Sequence, residues 1–163
     1  MQRVTIRDLF PLLVILSVIL VATMALEYRD RSWSWMEFGE HFMGLFLVIF
    51  AMFKLFDLPG FAEAFEMYDI AAQKIQNYSF AYPFIELILG SFYLSQTWIV
   101  ATNILTATIM MVGLVGVIDS LSRKRHLECA CLGTVIKLPL SIVTVLENSI
   151  MAIMAIAMIF GRF

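Results

Sequence analysis

The chain has 163 residues, 61% of them apolar and 15% charged, with a mean hydropathy of +0.89 and a formal charge of -2. A soluble domain of this size has too little interior to hide so much hydrocarbon, whereas a bilayer accepts it. The near-balanced charge gives no purchase to nucleic acid or to a strongly charged macromolecule, so the expectation is one all-α integral membrane domain over residues 1–163, with the lipid bilayer as its first partner.

After a short polar start carrying Arg3 and Arg7, an apolar run over 9–26 predicts the first span. At ~1.5 Å per residue it matches a hydrocarbon core of ~30 Å with slight thinning. Ala22 to Glu27 contains no small-x-small cleavage site, which predicts a retained helix and not a secretory signal. The polar link from Glu27 to Glu40 puts Trp33 and Trp35 in the headgroup belt, where amphipathic rings collect. The second span is expected over 41–56; near its end Lys54 has a stem long enough to keep its ammonium in water. Asp57, Leu58, Pro59 and Gly60 then stop the helix.

Over 61–78, Phe61, Ala64, Phe65, Tyr68 and Ala72 recur at helical spacing opposite Glu63, Glu66, Asp69, Gln73 and Lys74. That pattern predicts an amphipathic helix lying at the interface or capping the bundle. The third span is expected over 81–95 with Pro83 in its first turn, and the link Ser95, Gln96, Thr97 is short enough to make the fourth span, over 98–118, its antiparallel neighbour. Gly113 and Gly116 stand three apart, so they do not form GxxxG, although small residues there permit close approach in lipid. A cysteine loop over 119–138 leads into the fifth span, over 140–160, which carries Glu147 and Asn148.

Five spans put the N-terminus, the 57–80 segment and the cysteine loop on one side, with 7 basic residues (Arg3, Arg7, Lys74, Arg123, Lys124, Arg125 and Lys137), against 3 (Arg29, Arg31 and Arg162) on the other. The positive-inside rule then predicts a plasma-membrane protein with its N-terminus and cysteine loop in the cytoplasm. Lys54, Glu86 and Glu147 fall toward the same end as the cysteines. Ionisable groups at membrane depth cost ~2.5–3.5 kcal/mol each on insertion scales and so seek a partner or a wet cavity. A structural ion pair between Lys54 and Glu86 would satisfy the same energetics.

Cys129 and Cys131, the only two cysteines, flank Ala130 after the basic run Arg123, Lys124, Arg125 and His126. That positive field favours thiolate, and thiolate is both the nucleophile and the soft-metal ligand. Two thiols one residue apart can close a small, strained disulfide of the labile, exchange-competent kind, or hold one soft cation such as Cu(I) or Hg(II). A structural zinc site wants more ligands at wider spacing. Met151, Met154 and Met158 share one face of the fifth span and could extend a soft-metal path, though methionine is also the usual gap-filler of apolar packing. There is no phosphate loop, nucleophile elbow or HExxH, and His41 and His126 fall on opposite sides in this topology, which argues against a haem pair.

The run Lys54 to Phe61 with Phe65 and Tyr68, then Pro83, Glu86 and Gly90, resembles the DoxX pattern of small membrane proteins. The cysteine segment running into Leu138 and Pro139 resembles the MauE branch of that group. The similarity covers about 42–160, which leaves the first span as an addition to a four-helix body. The resemblance implies thiol–disulfide maturation or quinone-linked redox steps, with MauE associated with methylamine utilisation and periplasmic disulfide formation, on the side opposite to that given by the charge count.

The expected function is therefore thiol–disulfide redox chemistry, with Cys129 and Cys131 exchanging electrons with a thioredoxin-like partner while Glu86 and Lys54 position helices or relay a proton. Thiol exchange needs no cofactor; a quinone enters only through the resemblance. The alternatives are soft-metal transport or delivery through Cys129, Cys131, Met151, Met154 and Met158, with a metal-binding protein as partner, and a structural subunit of a membrane complex.

Overall fold

The computed structural model describes residues 6–30, 34–122, 128–129, 138–139 and 142–161, with side chains over 10–28, 34–122 and 145–161. Its helices are α1 (Ile6–Asp30), α2 (Trp35–Phe56), α3 (Leu58–Glu66), α4 (Ile70–Lys74), α5 (Tyr78–Leu94), α6 (Ile99–Ser122) and α7 (Ile142–Phe160). Between α6 and α7, β1 (Glu128–Cys129) and β2 (Leu138–Pro139) form a short antiparallel ladder that sets Glu128 opposite Pro139 and Cys129 opposite Leu138.

Among the described residues, three helical stretches are long and apolar enough to cross a membrane: Phe10–Tyr28, Trp35–Phe56 and Ile99–Ser122. α5, at 17 residues, and the Val145–Phe160 part of α7 are shorter, so length alone supports three of the five expected crossings. The outward faces carry large exposed apolar side chains such as Phe10, Val21, Ile88, Ile104 and Ile153. Contiguous exposed hydrocarbon of this kind is stable against lipid and not against water.

Two boundaries differ from the sequence expectation for a local reason. α2 begins at Trp35, not at 41, because Ser34 caps it in extended conformation and its hydroxyl accepts the Glu37 N–H at 3.4 Å. That capping pattern absorbs residues 35–40 of the supposed polar link into α2, while α1 takes residues 27–30. The amphipathic segment 61–78 is two helices and not one. Asp57 caps α3, its carboxylate accepting the Gly60 N–H at 3.1 Å with Pro59 in the first turn. Asp69 starts α4, its Oδ1 accepting the N–H groups of Ala71 and Ala72 at 2.9 and 2.8 Å.

α2 packs mainly on α5, and α6 on α7. The α2–α5 crossing is close because it is built on glycine: a Cβ at Gly90 would lie 2.9 Å from the Gly44 carbonyl oxygen. Gly44 faces Tyr93 and Leu94 while Lys54 meets Glu86, so rising numbers on α2 match falling numbers on α5 and the two helices are antiparallel. The Tyr68–Asp69 corner between α3 and α4 sits on α6, where a Cβ at Gly116 would come within 2.4 Å of the Tyr68 carbonyl oxygen. Of the glycine pair that lacks the GxxxG spacing, Gly116 thus admits backbone of a loop corner, while Gly113 faces side-chain atoms of Asn148 and Asp69 at ordinary contact distance. Phe46, Leu47, Phe50, Phe61, Tyr93 and Met151 form the centre of the core.

Candidate functional site

The site is built where α2 ends and α5 is still near its start. Side chains on a helix lean toward its N-terminus. On antiparallel neighbours that lean sends Lys54 back into the bundle and Glu86 toward the end of α2, and the two meet. The Lys54 Nζ lies 2.5 Å from both carboxylate oxygens of Glu86, with the residues only 5% and 3% exposed. Lys54 therefore does not reach for water as its long stem suggested; its charge is held inside. Two rings complete the cradle, since the ammonium stands 4.9 Å from the Tyr82 ring centroid and 5.5 Å from that of Phe61. Their π faces add a cation-binding field that desolvation strengthens. Phe61 in turn stacks on Phe65, and Tyr82 packs against Phe65 at a tilt.

Beside the pair lies a cavity of about 40 Å³, walled by α2, α3, α5, α6 and α7. It has room for about three water molecules. A quinone ring needs several times that space, so the residues here do not fit one. Glu147 and Asn148 line the same cavity from α7, and the buried Glu147 Oε1 has no hydrogen-bond partner among the described residues. The structure thus brings Lys54, Glu86 and Glu147 to one cavity.

The cysteines are placed less fully. The backbone of β1, which includes Cys129, lies against α3, the helix that contributes Phe61 and Phe65 to the cavity wall. Cys131 and the basic run 123–126 lie outside the described residues. Met151 and Met158 are buried and Met154 is partly so. A Cβ at Gly39 of α2 would meet the Met158 methyl at 2.2 Å and that of Met154 at 3.7 Å, so these two methionines occupy the space a glycine leaves.

Two polar features escaped the sequence. His41 Nδ1 lies 2.7 Å from Glu27 Oε1, joining α1 to α2 at the other end of the bundle. Beside it opens a recess of about 600 Å³ lined by Leu26, Glu37, His41, Leu45, Leu94, Ser95 and Gln96. Deeper in, the Tyr93 hydroxyl donates to Asn103 Oδ1 at 2.7 Å, pairing two oxygens that lipid would leave stranded, while Asn103 Nδ2 has no partner among the described residues. The Ser34–Glu37 cap was the signal for the first of these, because it shows that His41 sits two turns inside a helix. Outside the spans, burial pushes the Asp69 carboxyl above its ordinary range, and the N–H groups of Ala72 and Ala71 oppose that shift.

A family model described as methylamine utilisation protein MauE matches residues 33–161, which covers α2 through α7 and leaves α1 outside. No curated protein and no solved structure matches.

Proposed function

The chain belongs to the MauE family, and from that premise we propose that it is a membrane accessory protein for thiol–disulfide exchange, with Cys129 and Cys131 as the exchanging pair. The supporting observation is that the backbone of Glu128–Cys129 lies against α3, which also contributes Phe61 and Phe65 to the cavity of the buried Lys54–Glu86 pair. One cysteine thiolate attacks a sulfur of a partner's disulfide, and the partner's second sulfur leaves as thiolate. The other cysteine then displaces the partner and closes the Cys129–Cys131 disulfide. Two electrons pass to the partner, and the two protons shed by the chain's thiols end on the partner's thiols. A three-residue loop closed this way is strained, which suits transfer better than storage.

Lys54 and Glu86 position α2 against α5 and hold an ordered field at that end of the bundle. The topology that goes with this function has five crossings, with the N-terminus and cysteine loop on the cytoplasmic side of a plasma membrane. The soft-metal alternative draws less support, because Met154 and Met158 have a packing role against Gly39.

Thiol trapping in membranes poised at a series of redox potentials tests the proposal. A mass-tag pattern that moves reversibly between two free thiols and none is expected, and Cys131→Ser should abolish it. An absence of any oxidised form at every poise rejects thiol exchange. Full retention of function by the double Cys→Ser variant would favour a purely structural subunit.

A further inference from the structure

We propose that Glu147 is the proton-carrying group of the Lys54–Glu86 cavity, a site that takes up and returns one exchangeable proton. The cavity holds two carboxyl groups and one ammonium. Lys54 is committed to Glu86, with both carboxylate oxygens at 2.5 Å. That pairing leaves Glu147, whose Oε1 is buried without a hydrogen-bond partner among the described residues. A bare carboxylate so placed would be a second, uncompensated negative charge in apolar surroundings, and a bound proton removes that cost. The space for about three waters gives the proton somewhere to go and come from.

Among the described residues, the other titratable or charged groups around the cavity are few. α2 contributes Lys54, and α5 contributes Tyr82 and Glu86. The α3–α4 corner contributes Tyr68, and Asp69 Oδ2 lies 3.7 Å from where a Cβ at Gly113 would stand. α6 presents Met110 and Gly113, neither of which titrates, and α7 adds the uncharged Asn148. Asp69 spends its Oδ1 on the cap of α4. Among these described groups, Glu147 is the one with a fully buried oxygen that lacks a hydrogen-bond partner.

The proton site stands on geometry alone. Its coupling to sulfur rests on the function proposed above: an attacking thiol must lose a proton and a leaving sulfur must gain one, so a group that accepts and returns a proton nearby serves both steps.

Infrared spectroscopy of the purified full chain in lipid tests both parts. The wild type should show a protonated-carboxyl stretch that shifts in heavy water, and the difference spectrum against Glu147→Gln should contain that band. Glu147→Asp should move the band in frequency and keep it, which separates loss of the group from loss of the fold. The band should survive in the double Cys→Ser variant. A spectrum unchanged by both Glu147 substitutions, or a band that refuses exchange with heavy water, overturns the proton site. If the band is present but oxidised-minus-reduced spectra leave it unmoved, the coupling to thiol chemistry fails while the site stands.

Discussion

At Lys54 a single methylene stem decides whether an ammonium sits in water or in the bundle, and Glu86 draws it inward. Breaking a buried pair from one side strands the other charge. Lys54→Met should therefore destabilise the protein by about 3–5 kcal/mol, whereas Lys54→Met with Glu86→Met should be close to neutral for folding. Thermal unfolding in detergent measures both; equal losses in the single and double variants would mean the pair is not the unit described. Asp69 gives a second test at this scale. Removing its cap with Asp69→Ala should cost about 1 kcal/mol. Because burial raises its carboxyl, the folded chain binds that proton more tightly than the unfolded chain. Its contribution is fully present below the unfolded value and is lost as pH rises through the folded one. Asp69→Asn should flatten that part of the stability-versus-pH curve, and an unaltered curve would contradict the assignment. Lys54 and Glu86 could be singled out from sequence because charge at membrane depth demands a partner. The Tyr82 and Phe61 faces around them could not, since ring orientation follows from how α3 folds back, and one-dimensional spacing does not carry it.

Among the elements, the helices were legible wherever apolar runs did the work, and misjudged wherever a cap did. Ser34 with Glu37, and Asp69 alone, fix helix starts inside stretches that read as link or as continuous amphipathic helix. The glycines on α6 were legible as small residues but not by partner, because a loop corner leaves no periodic signature. Their contrast is testable. At Gly116 a methyl would strike the Tyr68 carbonyl oxygen at 2.4 Å, so Gly116→Ala should cost about 1–3 kcal/mol. At Gly113 the nearest atom is 3.5 Å away, which is ordinary contact, so Gly113→Ala should stabilise α6 by up to about 1 kcal/mol through helix propensity. Melting shifts of the same sign for both would contradict the corner packing.

In the whole molecule, α3 walls a charged cavity and also carries the backbone of the cysteine strand, at one end of a helical bundle in lipid. The basic-residue count predicts that this end faces the cytoplasm, so a membrane-impermeant maleimide should label Cys129 and Cys131 in inverted vesicles but not in intact cells. Labelling from the outer face would reverse the orientation. The family match over residues 33–161 leaves α1 outside the matched body, to which the contact of Glu27 with His41 joins it. The central proposal is that cavity and sulfur belong to one site. The direct measurement is the rate of disulfide exchange at Cys129 and Cys131 in lipid, compared between wild type and the Lys54→Met, Glu86→Met double variant. A change of tenfold or more, about 1.4 kcal/mol of activation free energy, is predicted with the fold intact. Identical rates in two equally stable proteins would separate the cavity from the chemistry and contradict the account.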